Sequence, residues 1–223
     1  MFSREDFLPA AEYNNIPTFE EQVHQISAHD LHTIGGLFVR HGVHDYLCAA
    51  LLHRHIKMGD GEVIVHDGDE DDDISSARHS CTLDMSRLAP HSLFLHSSHG
   101  FRPFEFAIDR DYPELPTQFL HELQALLEAR QLERVVCMAP LPVISQAEHI
   151  ILETQLANEG GSRSQEQALT VINGGQRSTA VITNWAFDRG ASGAITVREV
   201  KACVKNSFGV HEVTDSQIDI GAQ

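Results

Sequence analysis

The sequence has no long apolar run, no paired-cysteine motif and few basic residues. No segment approaches the roughly 20 uninterrupted apolar residues that a membrane helix needs, so we expect no membrane span. The N-terminal stretch MFSREDFLPAAEYNN lacks a basic start followed by an apolar core, which argues against a secretory signal peptide. The 32 acidic residues outnumber the 16 basic ones, and the resulting formal charge of −16 disfavours binding to nucleic acids and to anionic membranes.

The cysteines are too few and too far apart to predict a disulfide framework or a zinc finger. Together with the missing signal peptide, this spacing predicts reduced thiols and a cytoplasmic protein. Dinucleotide-binding, P-loop and serine-hydrolase motifs are also absent, so those three chemistries have no support in the sequence. The four cysteines are Cys48, Cys81, Cys137 and Cys203.

Hydrophobic periodicity predicts an α+β fold, with a largely antiparallel sheet and two or more helices packed on it. One helix is predicted to begin after the cap Ser27 and to end at Gly42, and another to run from Pro116 to about Leu132. We expect residues 1–17 to form an N-terminal arm, residues 18–210 a single domain, and residues 211–223 a loosely ordered tail. The acidic run 67–73 and the Gly- and Ser-containing segment 157–167 are predicted to be loops.

A histidine-rich stretch in the first half of the chain is the main candidate for chemistry. The pattern predicts a strand over 46–56, a turn over 58–61 and a returning strand over 62–66. Because side chains alternate along a strand, His53 and His55 would share one face. Glu62 and His66 would lie on that same face for a two- or four-residue turn, whereas a three-residue turn with a bulge would break this relationship.

This set of side chains is suited to a divalent metal ion, and iron, zinc and copper (Fe, Zn or Cu) all remain open. His53 and His55 would be two ligands, with Glu62 or His66 as the third, leaving coordination positions for substrate or water. Without a metal, a histidine beside Glu62 would act as a general acid or base. The 15 histidines in the chain do not decide between these alternatives, because most of them must have structural or surface roles.

Two further sites are weaker candidates. Glu105, in the segment PFEF, is either a solvent-facing side chain or, if its face lines a pocket, a catalytic acid. Cys203 and His211 are a candidate nucleophile–base pair, separated by eight positions close to the tail that is expected to be loosely ordered. Trp185, the single tryptophan, is expected to pack in the core or to form a wall of a ligand site.

Four short segments resemble a set of uncharacterised proteins from filamentous fungi. The segments are LFVRHGV, ALLHRHIKMGDGEVIV, RPFEF and TNWAF, and they are spread over most of the chain. The shared pattern consists of an LLH(R/K)H core, a GE turn, a PxEF segment and a late TxWxF strand. The resemblance implies a fungal source, where such genes often serve specialised metabolism, and it brings no activity with it.

The sequence therefore predicts a small cytoplasmic enzyme that acts on a small organic molecule through a histidine-centred, metal-dependent site. One alternative is a metal-independent histidine–carboxylate enzyme, such as a dehydratase, an isomerase or a cyclase. A second alternative is a non-catalytic binding or accessory protein in which the histidines are structural. No partner other than a small-molecule substrate is predicted, and the sequence does not predict the oligomeric state.

Overall fold

The computed structural model describes residues 4–22, 25–69, 72–144, 149–156, 161–168, 180–190 and 192–204. Within these ranges the chain forms both helices and strands. The α-helices are α1 (Ala10–Tyr13), α2 (Phe19–Gln22), α3 (Ala28–Arg40) and α4 (Thr117–Arg130). The strands are β1 (Leu47–Leu51), β2 (Glu62–Asp69), β3 (Asp72–His79), β4 (Leu88–His96), β5 (Gly100–Ile108), β6 (Val136–Pro140), β7 (His149–Leu156), β8 (Gly161–Ala168), β9 (Ala180–Arg189) and β10 (Ile195–Val204).

The strands close into one barrel in the order β1-β6-β4-β5-β2-β3-β8-β7-β10-β9, and β9 pairs back onto β1. Most of the pairings are antiparallel, but β2 pairs parallel to β5 and β7 pairs parallel to β10. The predicted combination of helices with a sheet is therefore present, but the sheet is mixed and closed, not simply antiparallel. No helix in the described ranges is both long and apolar enough to cross a membrane.

The fully buried strand β1 separates two apolar layers. Leu47, Ala49 and Leu51 pack in a cluster that includes Phe38 of α3 and Phe119 of α4. The alternate residues of the strand pack in a second cluster with residues of β5, β6 and β9 on the inner side of the barrel. This arrangement follows from the alternation of side chains along a strand and explains why β1 carries no polar residue.

The long helix α3 covers the outside of the barrel. Its start was predicted correctly: the Ser27 hydroxyl accepts a hydrogen bond from the backbone N–H of Asp30. Gly42 follows the helix with a φ of 68°, a left-handed conformation that favours glycine. On its buried face, Gly35 brings the helix against Phe187 of β9, and a Cβ atom at Gly35 would lie 2.5 Å from Phe187 Cδ1.

This close approach predicts opposite effects for two adjacent alanine substitutions. Gly35→Ala is expected to lower the free energy of unfolding by about 1–3 kcal/mol, because the added methyl group overpacks the helix against the barrel. Gly36→Ala serves as the control, since nothing lies within 4 Å of a Cβ atom there. It should raise the free energy of unfolding by up to about 1 kcal/mol through helix propensity. Urea denaturation measures both changes, and equal effects would contradict this packing.

The predicted hairpin over 46–66 is wrong. β1 pairs with β6 and β9, whereas β2 pairs with β3 and β5, so β1 and β2 are not neighbours in the barrel. The turn at 58–61 does form, with Gly61 at a φ of 76°, but it connects β2 to an irregular segment that begins after Leu51. Local turn chemistry was read correctly, but the strand partners are set by residues far away in the sequence.

Both predicted loops need correction where the structure describes them. The acidic run 67–73 contributes to β2 and β3, which pair from Glu62 and His79 to Asp69 and Asp72. Segment 157–167 contains most of β8, which pairs with β3 and β7. Polar and glycine-rich composition is typical of loops, but pairing on both sides satisfies the backbone of β8. The predicted tail 211–223 lies outside the described residues.

The N-terminal segment holds the irregular segment after β1 in place. The Asn14 side chain makes two hydrogen bonds of 2.9 Å with the backbone of Met58, one to its carbonyl and one from its N–H. Arg54 donates its backbone N–H to Pro17 and its side-chain Nε to the carbonyl of Ile16. These contacts fix the path of the chain that carries His53 and His55.

Candidate functional site

The barrel encloses a cavity of about 590 Å³ whose wall carries a cluster of ionisable side chains. Its volume is within the range of about 300–1,000 Å³ that is typical of small-molecule sites. Apolar residues such as Phe104, Ala139 and Ile151 form much of the remaining wall. The cluster consists of His53, His55, His66, His91, Glu105, Glu153 and Lys201, and the lining also includes the ionisable residues Asp109, Arg110, Asp111, Tyr112 and Cys137.

His55 lies between two buried carboxylates. Its Nδ1 is 3.1 Å from Glu105 Oε1, and its Nε2 is 3.3 Å from Glu153 Oε2. Both glutamates are 2% exposed. Although Nε2 is close to Glu153, it is not aligned for a hydrogen bond, and no residue in the described ranges hydrogen-bonds this buried nitrogen. The Nδ1 side of the His55 ring is therefore anchored by Glu105, and Nε2 remains as a candidate metal-ligand atom.

The two carboxylates and His55 shift one another's protonation. Burial would lower the pKa of His55, but the charges of Glu153 and Glu105 outweigh it and hold that pKa well above its usual range. Burial would raise the pKa of Glu105 and of Glu153, but His55 holds both values well below the usual range. Without a metal, these pKa shifts favour a protonated His55 beside two ionised carboxylates.

Glu105 links His55 to a second group of side chains. Its Oε2 lies 3.2 Å from His66 Nε2 and accepts a hydrogen bond of 3.1 Å from the Ser92 hydroxyl. His91 lies in the β4 bulge between Pro90 and Ser92, and its ring stacks on that of His66 at 3.7 Å. Bulges re-aim side chains, and here the bulge coincides with a histidine on the cavity wall.

Glu153 of β7 is held by three neighbours. Its Oε1 accepts a hydrogen bond from the Ser162 hydroxyl, and its Oε2 forms a 2.6 Å ion pair with Lys201 Nζ. Cys203 Sγ, two residues along β10 from that lysine, is 3.7 Å from Glu153 Oε2. Burial raises the pKa of the Cys203 thiol, and the Glu153 charge adds to that effect. The parallel pairing of β7 with β10 brings these side chains together.

His53 completes the cluster from the other side. Its Nδ1 donates to the Leu51 carbonyl at 2.8 Å, which leaves Nε2 with a lone pair 3.4 Å from Cys203 Sγ. Burial lowers the pKa of His53 to about 4, and the His55 charge adds to that effect. His53 is therefore neutral near neutral pH, which is the state in which imidazole binds a metal.

The geometry of four donor residues matches a metal site. His53, His55, Glu153 and Cys203 each offer a ligand atom within 4.8 Å of all the others. Metal–ligand bonds of about 2.0–2.3 Å in a tetrahedron place neighbouring ligand atoms roughly 3.3–3.8 Å apart. The Cys203–His53, His55–Glu153 and Cys203–Glu153 atom pairs are 3.4, 3.3 and 3.7 Å apart. A second group of close donor residues consists of His66, His91 and Glu105. We do not assign a metal to it, because Glu105 contacts His55 and the two imidazole rings stack on each other.

The groups that contact the second ring nitrogen of each histidine are also typical of a metal site. Histidines that bind metals usually donate their other ring N–H to a carboxylate or to a backbone carbonyl, which fixes the ring orientation. Here His55 has Glu105 and His53 has the Leu51 carbonyl in those positions. The donor atoms are therefore positioned before any ion binds.

The structure brings together only part of the predicted site. His53, His55, His66 and Glu105 all line the cavity, so Glu105 lies on a pocket wall and does not face solvent, and its role as an acid stays a prediction. Glu62 does not belong to the site: its carboxylate accepts the backbone N–H of Gly59, and the nearest histidine is His79, at 3.9 Å. It was grouped with the histidines through a hairpin that does not form.

Sequence reasoning missed Glu153 and Lys201 and gave Cys203 a different partner. The sequence does contain a signal for Glu153, which is the single carboxylate in the mostly apolar strand HIILETQL. A charge buried in such a strand needs a partner. Cys203 was predicted to pair with His211, which lies outside the described residues, whereas the structure places it beside His53. Trp185 is 8% exposed and packs in the core, as predicted.

Comparisons with protein-family models, with curated proteins and with solved structures find no match to this chain.

Proposed function

We propose that this chain is an enzyme that binds one divalent metal ion and acts on a small organic molecule in the barrel cavity. The ligands are His53, His55, Glu153 and Cys203. The observation that carries the proposal is the spacing of these four donor atoms on the wall of a cavity large enough for a substrate. Concave sites that combine apolar walls with converging polar groups are where small molecules bind.

Among iron, zinc and copper, the donor set favours zinc. Two imidazoles, a carboxylate and a thiolate in a tetrahedral arrangement are ligands that zinc binds well, and the thiolate disfavours hard ions such as Mg²⁺ and Ca²⁺. A bound zinc ion would supply a Lewis acid and would lower the pKa of a bound water towards neutrality. Zinc with four protein ligands is typical of closed structural sites, so a bound water would need a fifth coordination position or the displacement of one of the four ligands.

The other residues of the cluster position the ligands and balance charge. Glu105 orients His55, and Ser162 and Lys201 orient the Glu153 carboxylate. Lys201 also compensates the negative charge of Glu153. His66 and His91 lie on the cavity wall beside Glu105, where they can exchange protons with a bound substrate.

Metal analysis combined with an activity screen tests this proposal. Tag-free protein should contain close to one metal ion per chain. The protein should turn over at least one class of compound in a panel of small esters, lactones, amides and hydratable alkenes. This turnover should be lost on exhaustive chelation and in His53→Ala. The proposal would be wrong if metal-free protein kept full turnover and the histidine variants were as active as the wild type.

A specific observation supports a second candidate, a metal-independent acid–base enzyme. The charges of Glu105 and Glu153 are already balanced by Lys201 and a protonated His55. Such a histidine–carboxylate group can transfer protons in a dehydration, isomerisation or cyclisation without a metal. Activity that survives chelation but is lost in His55→Ala would favour this candidate.

Other expectations from the sequence stay predictions. They are the fungal source, the role in specialised metabolism, the cytoplasmic location and the absence of nucleic-acid partners. The non-catalytic alternative would gain if the histidine variants lost stability without losing any measurable function. A melting curve recorded beside each assay separates these outcomes.

A further inference from the structure

The four-ligand group lies between two cavities. His55 and Glu153 line the barrel cavity and also a second, smaller cavity on the side of α2. Cys203 lines the second cavity, whereas His53 lines the barrel cavity. The donor atoms can therefore be reached from both sides.

The two cavities differ in size. The second has a volume of about 200 Å³, against about 590 Å³ for the barrel cavity. At about 30 Å³ for each water in the liquid, the smaller space holds roughly six or seven waters. It is below the range of about 300–1,000 Å³ that is typical of pockets for organic ligands. An organic substrate fits the barrel cavity, and the second cavity suits only water or a small hydrated ion.

The two cavities also differ in chemistry. The wall of the second cavity carries Thr18, Glu20, Arg54, Lys57 and Ser162, so most of its surface beyond the ligands is charged or hydroxylated. Glu20 and Lys57 are exposed, which places charged groups of both signs in solvent at this wall. Polar groups of this kind replace part of the hydration shell of an ion. The barrel cavity combines its ionisable groups with many apolar residues, such as Phe104, Ala139 and Ile151, which suit the apolar part of an organic molecule.

We propose that the second cavity is the access route by which the hydrated metal ion, and with it water, reaches the four-ligand group. This inference rests on the proposed function, because it needs a metal at that group. It assigns the barrel cavity to the organic substrate alone, so a bound substrate does not block exchange of water at the other side of the ligands. The site then has separate approaches for its two small-molecule partners.

Blocking the second cavity without touching a ligand tests the route. Thr18→Trp adds a large side chain at its wall, and Thr18→Val is the matched control that removes the hydroxyl but adds no bulk. Val143→Trp is the control on the other side, because Val143 is 54% exposed at the barrel cavity. The probe is Co²⁺ alone, followed in stopped flow by the absorption of the cysteine thiolate–cobalt bond.

In Thr18→Trp, Co²⁺ uptake and its release to excess chelator should both slow on the order of tenfold, since the block acts on access and not on the ligands. The dissociation constant should stay the same, because both rates change by one factor. Thr18→Val and Val143→Trp should keep wild-type rates. Lys57→Glu should speed uptake at low salt, because it removes a positive charge from the route and adds a negative one.

Two results would overturn the inference. Wild-type rates in Thr18→Trp, or slowed uptake in Val143→Trp, would mean that the ion enters through the barrel cavity, and the proposed function would be unaffected. Wild-type protein that binds no Co²⁺ would overturn the proposed function and the route together.

Discussion

His55→Ala is expected to have the largest effect of any single substitution, on metal binding and on stability at once. The variant loses a ligand, so its metal affinity should fall by more than the roughly 10–100-fold that follows loss of an outer partner. In the metal-free protein, Glu105 and Glu153 lose the cation that they share. Leaving a buried charge without its partner costs about 3–5 kcal/mol, which should appear as a lower free energy of unfolding in urea.

Two variants make this result specific. His53→Ala should lose metal affinity to a similar degree but should cost only about 1–3 kcal/mol, because His53 is neutral and its removal leaves no unpaired carboxylate. Glu62→Gln should change neither property, because Glu62 lies outside the cluster. Metal-free His55→Ala with wild-type stability would show that His55 does not compensate the two carboxylates.

Glu105→Ala should destabilise the metal-free protein by about 3–5 kcal/mol as well. The substitution removes the acceptor of Ser92 and the carboxylate that contacts both His55 and His66 in the buried barrel wall. Glu105→Gln keeps the shape and one carbonyl oxygen, so its cost should be smaller, about 1–3 kcal/mol. Glu105→Gln should also weaken metal binding by about 10–100-fold, because Glu105 orients the ligand His55.

The exposed pair of Glu12 with His96 gives a matched control for this prediction. His96 Nε2 and Glu12 Oε2 are 3.4 Å apart, close to the distances of 3.1 and 3.2 Å from Glu105 to His55 and His66. The Glu12 side chain, however, is 50% exposed. Glu12→Ala should therefore cost no more than about 1 kcal/mol, as is usual for surface ion pairs. Equal costs at Glu12 and Glu105 in chemical denaturation would contradict the role assigned to the buried cluster.

Local features of this fold could be predicted from the sequence. The Ser27 cap, the end of α3 just before Gly42 and the helix after Pro116 depend on residues close to one another in the chain. These features need no knowledge of which strands pair.

The site itself depends on pairing, which the sequence does not reveal. His55 meets Glu105 from 50 residues away, and Cys203 meets His53 from 150 residues away. The hairpin prediction placed Glu62 beside His55 because a turn separates the two residues in the sequence. In the structure, β2 pairs with β3 and β5. Closure of the barrel, not the turn, decides which side chains share the cavity.

Co²⁺ titration of the metal-free protein tests the central claim most directly. The proposal predicts one ion per chain and a thiolate–cobalt absorption band that disappears in Cys203→Ser and persists in Cys137→Ser, whose cysteine lines the barrel cavity outside the ligand group. A wild-type protein that binds no Co²⁺, or a band that survives in Cys203→Ser, would contradict it.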